Sequence, residues 1–252
     1  MKIQLIRHAT LWLEYAGVRL LVDPMFSEAG VNPPINNSTN ERRNPLVPLP
    51  ISKEELVKPD AVLVTHLHQD HWDTAAAEAL PKSTVIFCQP GDAHSISDQH
   101  FSSVTEIEQS TIYKGITISR TSGQHGTGEI GQKMGKVSGF VLQAEGHPTL
   151  YITGDTIWCE EVRQALDAFR PDVVIVNAGG AQFAVGEPIT MNVEDVIRVC
   201  SYAPYSKVIA VHMDTINHCL VTREDLSRAL QTEGLMDQVL IPADGESVIV
   251  DK

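Results

Sequence analysis

A continuous apolar run, Ala61–Thr65, leads directly into His66-Leu67-His68-Gln69-Asp70-His71. The run reads as a buried β-strand. Residues i and i+2 leaving a strand point to the same side, so His66 and His68 can grip one ion. The chain then turns toward an Ala-rich helical stretch, Thr74–Leu80, which swings Asp70 and His71 to a neighbouring position where they can hold a second ion. Imidazole and carboxylate suit Zn, Mn or Fe. The cysteines, Cys88, Cys159, Cys200 and Cys219, are scattered without C-x-x-C spacing, so neither a thiolate metal site nor a disulfide framework is expected.

Around this motif the chain reads as layered α/β. Strand-like runs Lys2–Ile6, Leu11–Tyr15 and Val18–Val22 open it, the last two joined by the hairpin signal Ala16-Gly17. The segment 24–59 is irregular, rich in proline and asparagine, with one short helix near Lys53–Val57. A loop of this length flanking a site is commonly functional. Strands are then expected at Thr84–Cys88, Ile116–Arg120, Gly139–Ala144, Thr149–Thr153, Asp172–Val176, Lys207–Val211, Val239–Ile241 and Val248–Val250. Helices are expected at Cys159–Phe169, Asn192–Cys200 and Thr222–Gln231, the last two opening on capping residues. Sheets with helices packed on them, in a single domain over 1–252, is the expected architecture.

Three further fragments place ligand-type residues just past strand ends, where α/β sheets collect their sites. They are Gln124-His125-Gly126, Gly154-Asp155-Thr156 and Val211-His212-Met213-Asp214. Together with the His66–His71 motif and Asp23 in Leu21-Val22-Asp23-Pro24, in this order, they resemble the metallo-β-lactamase superfamily. The resemblance implies an αββα sandwich of two mixed β-sheets with helices on the outer faces. It further implies that His66, His68 and His125 hold one metal and Asp70, His71 and His212 the other. Asp155 would bridge them, and Asp23 would support the metal loop from a buried position. Two divalent ions, Zn or Mn with Fe admissible, are the implied cofactor. Leu21-Val22-Asp23-Pro24-Met25-Phe26-Ser27, the stretch ending Pro48-Leu49-Pro50, Asp60–His66 and Met191–Val196 look like the branch containing ascorbate-6-phosphate lactonase and N-acylphosphatidylethanolamine phospholipase D.

Such a site turns water into a hydroxide nucleophile near neutral pH. The expected activity is metal-dependent hydrolysis of a small-molecule carbonyl, such as a lactone or ester. A small phosphodiester is the alternative electrophile, and a non-enzymatic metal-binding regulatory module the alternative class. Asp70 could accept a proton or orient the nucleophile. Asp23 and Asp214 are candidate orienters of metal-binding imidazoles. His8, Asn177, Gly179, Gly180 and His218 are candidate substrate contacts, whereas His94, His100 and His147 read as surface residues. Arg120, Lys133 and Lys136 flank His125 and read as solvated charges.

The net charge of −13 argues against nucleic acid and anionic membrane as partners, leaving a small-molecule substrate. An N-terminus broken by Arg7, His8 and Glu14 shows no signal-peptide core, and no run approaches the ~18 apolar residues that span a bilayer. A cytoplasmic protein is expected, and a homo-oligomer is left open.

Overall fold

The Ala16-Gly17 turn carries positive φ at both residues, 49° and 76°, which matches the twist of the strands it joins. In the computed structural model, which describes residues 1–251, it folds β2 (Thr10–Tyr15) back on β3 (Val18–Val22), with β1 (Lys2–Arg7) antiparallel on the other side of β2. After residues 24–59, which contain only α1 (Lys53–Leu56), come β4 (Ala61–Val64), α2 (Thr74–Ala79), β5 (Val85–Cys88), α3 (Ala93–Ser97) and β6 (Ser103–Glu106). The second half supplies β7 (Ser110–Tyr113), β8 (Ile116–Ser122), α4 (Gly128–Met134), β9 (Ser138–Gln143), β10 (Leu150–Ile152), α5 (Glu160–Phe169) and β11 (Val173–Asn177). It closes with α6 (Val193–Tyr202), β12 (Lys207–Val211), α7 (Arg223–Glu233), β13 (Val239–Leu240) and β14 (Ser247–Ile249).

These strands form two seven-stranded mixed sheets, ordered β14-β1-β2-β3-β4-β5-β6 and β13-β12-β11-β10-β9-β8-β7. Leu5, Leu13, Leu20 and Leu63 of the first sheet share one buried cluster with Ile118, Phe140, Ile175 and Ile209 of the second, so the sheets pack face to face. The outer faces are covered by α2 and α3 on one side and by α5, α6 and α7 on the other. Caps fix the helix starts. Asp73 accepts from Ala76 N at 2.7 Å, Asn192 accepts from Asp195 N at 3.0 Å, and Thr222 and Asp225 form a reciprocal capping box. Among the described residues, no helix is long and apolar enough to cross a membrane.

Four elements are absent from the sequence expectations: α3, β6, β7 and α4. β6 and β7 are the short, largely polar edges of the two sheets, where one neighbour suffices and the apolar signal is weak. α4 contains Gly128 and Gly131, each unfavourable by ~1 kcal/mol against alanine in a helix. Close packing explains the second: a Cβ on Gly131 would meet the Gly126 carbonyl oxygen at 2.5 Å.

Two buried side chains, Asn217 and Arg7, do much to tie down the irregular segment. Asn217 Oδ1 accepts from Ile35 N at 2.9 Å and from Asn44 Nδ2 at 2.8 Å, and the Asn217 carbonyl accepts from Asn40 Nδ2 at 2.7 Å. Arg7, fully buried, donates through Nη2 to the carbonyls of Met25 and Ser27, both at 2.9 Å, and through Nη1 to Val47 at 3.0 Å. Burial pushes Arg7 down to about 10 against the pull of Asp73, Asp244 and Glu28, which leaves it charged near neutrality. The segment is thereby held as a wall beside the strand ends.

Candidate metal centre

β1, β3 and β4 run the same way in the first sheet, and β8, β10 and β12 run the same way in the second. Just past their C-terminal ends stand His8, Asp23, the His66–His71 motif, His125, Asp155 and His212. Two of these ends are joined across the sheets, since His212 N donates to the His8 carbonyl at 2.9 Å. His8, Asp23, His212 and Asp214 all carry positive φ, at 62°, 44°, 71° and 60°. Left-handed backbone at non-glycine residues costs of order 1–3 kcal/mol each and gathers where side chains must be aimed. The turn at Gly154 needs glycine for a second reason, because a Cβ there would run into the Ser138 carbonyl.

Hydrogen bonds fix which nitrogen each imidazole presents. Asp23 accepts from Thr65 N at 2.8 Å through Oδ1, and through Oδ2 from Thr65 Oγ1 at 2.7 Å and His71 Nδ1 at 2.8 Å. The Thr65 hydroxyl directs its O–H to Asp23, so its oxygen accepts from His66 Nδ1 at 3.1 Å. His125 Nδ1 donates to the Ile189 carbonyl at 2.7 Å, and His212 Nδ1 lies 3.6 Å from Cys219 Sγ. With each Nδ1 engaged, the Nε2 atoms of His66, His71, His125 and His212 face inward. His66 Nε2 is buried with no hydrogen-bond partner. An imidazole locked through its outer nitrogen is how proteins prepare a metal ligand.

The inward atoms fall into overlapping sets, each spanning no more than 4.8 Å: His66, His68 and His125; His66, His71 and Asp155; and Asp70, His71 and His212 together with His8. Asp155 lies between them. Its Oδ2 is 3.2 Å from His71 Nε2, 3.5 Å from His125 Nε2 and 4.0 Å from His66 Nε2, and its Oδ1 is 3.2 Å from His212 Nε2. Three to four N and O donors per set, one of them orphaned, fit a divalent ion such as Zn, Mn or Fe. His8 is within ligand range, but its Nε2 donates to Asp70 Oδ2 at 3.0 Å, so it serves to hold that carboxylate.

The charges agree with this reading. Burial works against ionised Asp70 and Asp155, yet His71 and His212 hold both well below the usual carboxylate range. Burial likewise opposes charge on His71, but Asp155, Asp23 and Asp70 outweigh it and raise it to about 10; His212 is raised well above the usual imidazole range, chiefly by Asp155. These carboxylates therefore demand a cation at the Nε2 atoms, and a proton and a metal ion compete for that place. Metal binding is expected to release protons, and affinity to fall as pH is lowered from about 8 to about 6. A chelator competition at the two pH values checks this, and equal affinity would contradict it.

A cavity of about 220 Å³ opens onto His68, Asp70, His125 and Asp155. Its apolar walls include Met25, Ile35, Met134, Phe183, Ile189 and Ile216, and the amides of Asn32, Asn44 and Gln69 also face it, so both the irregular segment and the 181–189 loop contribute. His218 also lines it. The other residues singled out from the sequence are placed differently. Asn177 Nδ2 donates to Asp155 Oδ1 at 2.6 Å, so its amide positions that carboxylate. Gly179 and Gly180 lie under the last metal loop: a Cβ on Gly179 would collide with the His212 carbonyl, and one on Gly180 would meet Val221 at 2.6 Å. Asp214 is not brought to any cluster imidazole. Its αL backbone turns the carboxylate to Arg223, which donates from N at 3.2 Å and from Nη1 at 3.0 Å. The outer partner of His212 is Cys219 instead. Sequence reasoning passed over Cys219, Thr65 and the Ile189 carbonyl, and of these only Thr65, next to the motif, left any local signal.

The Beta-lactamase superfamily domain matches residues 18–213. The chain belongs to the metallo-β-lactamase superfamily. Within it, the chain is 36% identical to the UPF0173 protein YddR of Bacillus subtilis, over 98% of this chain and 99% of that one. A UPF0173 metal-dependent hydrolase of Azorhizobium caulinodans is 27% identical over 98% of this chain and 99% of its own. Among solved structures, an isothiocyanate hydrolase from Delia radicum gut bacteria is 38% identical with a TM-score of 0.96, covering 100% of both chains. A possible metal-dependent hydrolase from Veillonella parvula is 35% identical, also at 0.96, over 99% of each chain. The two seven-stranded sheets are thus the metallo-β-lactamase fold, and the protein is a metal-dependent hydrolase of that superfamily.

Proposed function

We propose that this hydrolase carries two divalent ions in the cluster and cleaves a small uncharged substrate at an electrophilic carbon, with isothiocyanates as the substrate class. The observation that carries the choice of carbon over phosphorus is the lining of the cavity. Above the His/Asp cluster its walls are largely apolar, with the neutral amides Asn32, Asn44 and Gln69 among them, and it includes no lysine or arginine to receive an anionic phosphodiester. The basic residues near His125 lie elsewhere: Arg120 and Lys136 line a separate hollow with Glu108, and Lys133 lines an adjoining groove. The full-length likeness to the isothiocyanate hydrolase supports the choice among carbon electrophiles. The finer sequence likeness to the ascorbate-6-phosphate lactonase branch supports a lactone or ester carbonyl as second choice.

Divalent ions bound here supply an activated water nucleophile and Lewis acidity toward the substrate heteroatom. The chain does the rest. Asp155 ties the donor sets together, with Asn177 holding one of its oxygens. Asp70, fixed by His8, orients the attacking water. The apolar walls keep bulk water from the reacting carbon. Addition of one water across C=N gives a thiocarbamic acid, and its C–N scission releases a primary amine and carbonyl sulfide.

Amine release from an isothiocyanate is the expected result when metal-loaded protein is offered an isothiocyanate, a lactone, an ester and a phosphodiester in parallel, with chelator abolishing it. Turnover of the phosphodiester alone would overturn the proposal.

A further inference from the structure

We propose that His218 is a catalytic residue of this hydrolase: its neutral imidazole N–H hydrogen-bonds the substrate heteroatom that takes up negative charge as water adds. The inference rests on the hydrolytic reading of the cluster and adds a group outside the metal-binding sets.

The placement of His218 is fixed from both sides. Its carbonyl accepts from Gln182 N at 2.9 Å, and Cys219, which bridges to Ala181, donates from N to the Ile216 carbonyl at 3.0 Å. Asn217, immediately before it, is the residue that holds the irregular segment. The backbone at His218 is thus pinned at the point where the segment, the 181–189 loop and the His212 loop meet, with its ring centroid 6.1 Å from that of Phe183. Only 7% of the residue is exposed, and it lines the cavity beside Asp70, His125 and Asp155.

What sets His218 apart among the buried histidines is that its ring is unspent. His8, His66, His71 and His125 each commit a ring nitrogen to another residue. Among the described residues His218 commits neither, and its Nδ1 is buried with no partner. Leaving a buried polar group unpaired costs about 1–3 kcal/mol, so such an atom in a native site calls for an explanation. A proton on Nε2 supplies one: it leaves Nδ1 as the enclosed lone pair, while Nε2, which has no hydrogen bond and is not among the enclosed unpartnered atoms, is the N–H a substrate in the cavity can reach. Burial, only partly offset by Asp70, pushes the imidazole down to about 4, which keeps it uncharged near neutral pH. A neutral imidazole is a proven electrophilic donor and avoids repulsion from bound cations.

In the addition step, the water oxygen bonds the central carbon and the C=N π pair moves onto nitrogen. The proton lost by water ends on that nitrogen. His218 keeps its own proton and only offsets the charge in transit, as an oxyanion-hole donor does.

The test compares wild-type protein with His218→Phe, which keeps a ring and removes the donor, and His218→Gln, which restores a donor. The expected result is unchanged bound metal and a kcat lower by about 10²–10³-fold in the Phe variant, with KM nearly constant and partial recovery in the Gln variant. Thiocyanate, a linear N–C–S anion, gives a readout without turnover: calorimetry on the metal-loaded proteins is expected to show weaker binding to His218→Phe than to wild type. A kcat within about threefold of wild type in the Phe variant, or loss of metal together with activity, would overturn the proposal. So would equal thiocyanate affinity, including none measurable for either protein. Absence of isothiocyanate turnover by wild type sinks the substrate assignment, while the thiocyanate comparison still judges His218.

Discussion

Asp155→Ala is expected to lower hydrolysis by at least ~10³-fold, because a residue that holds the reacting groups together as a unit costs most of the catalysis when removed. No other carboxylate reaches both donor sets: Asp155 Oδ2 faces His71, His125 and His66, and Oδ1 faces His212. Bound metal should fall by more than the ~10–100-fold in affinity that loss of an outer partner costs. Asp155→Asn keeps the shape while removing the charge that holds His71 and His212 toward their protonated forms, and it should also lose metal. Steady-state rates with elemental analysis of each purified variant make the comparison. Activity within about tenfold of wild type would remove Asp155 from the centre of the account.

The second large effect falls on a residue that touches no inward Nε2. Asp23→Ala would strand the backbone N–H and hydroxyl of Thr65 and Nδ1 of His71, all buried. At about 1–3 kcal/mol per buried unpaired group, the loss is about 3 kcal/mol or more, which for a chain of this size lowers Tm by at least ~6 °C. Freed from its anchor, His71 should also bind metal ~10–100-fold less tightly. Thermal melts with and without added metal separate the two consequences. A Tm within about 2 °C of wild type would show that Asp23 is not the keystone its hydrogen bonds describe.

Much of this site was legible because its candidate ligands sit in short local patterns at strand ends. Four of the metal-type residues lie in one hexapeptide, His66–His71, and its position after an apolar strand already defines direction and turn. His125, Asp155 and His212 were readable only as an ordered set, since each alone resembles a turn residue. The partners that hold them were harder. Asn177 looks like any polar residue closing a strand, but β11 lies between β10 and β12, so its end falls between Asp155 and His212. Asp214 stood beside a ligand in sequence, yet its left-handed backbone sends the carboxylate to Arg223, which also pairs with Asp244. Cys219 reaches His212 because of how the 214–222 turn closes, a fact of tertiary packing with no periodic trace. The same holds for Arg7, whose three carbonyl partners lie in an irregular segment without apolar rhythm.

Two divalent ions in the His/Asp cluster are the central expectation for this protein. Elemental analysis of the protein after reconstitution with Zn and Mn and removal of free metal tests this directly, with Asp155→Ala alongside. The prediction is about two equivalents of a divalent ion per chain in wild type and fewer in the variant. No retained metal in wild type, or equal metal in both proteins, would contradict it.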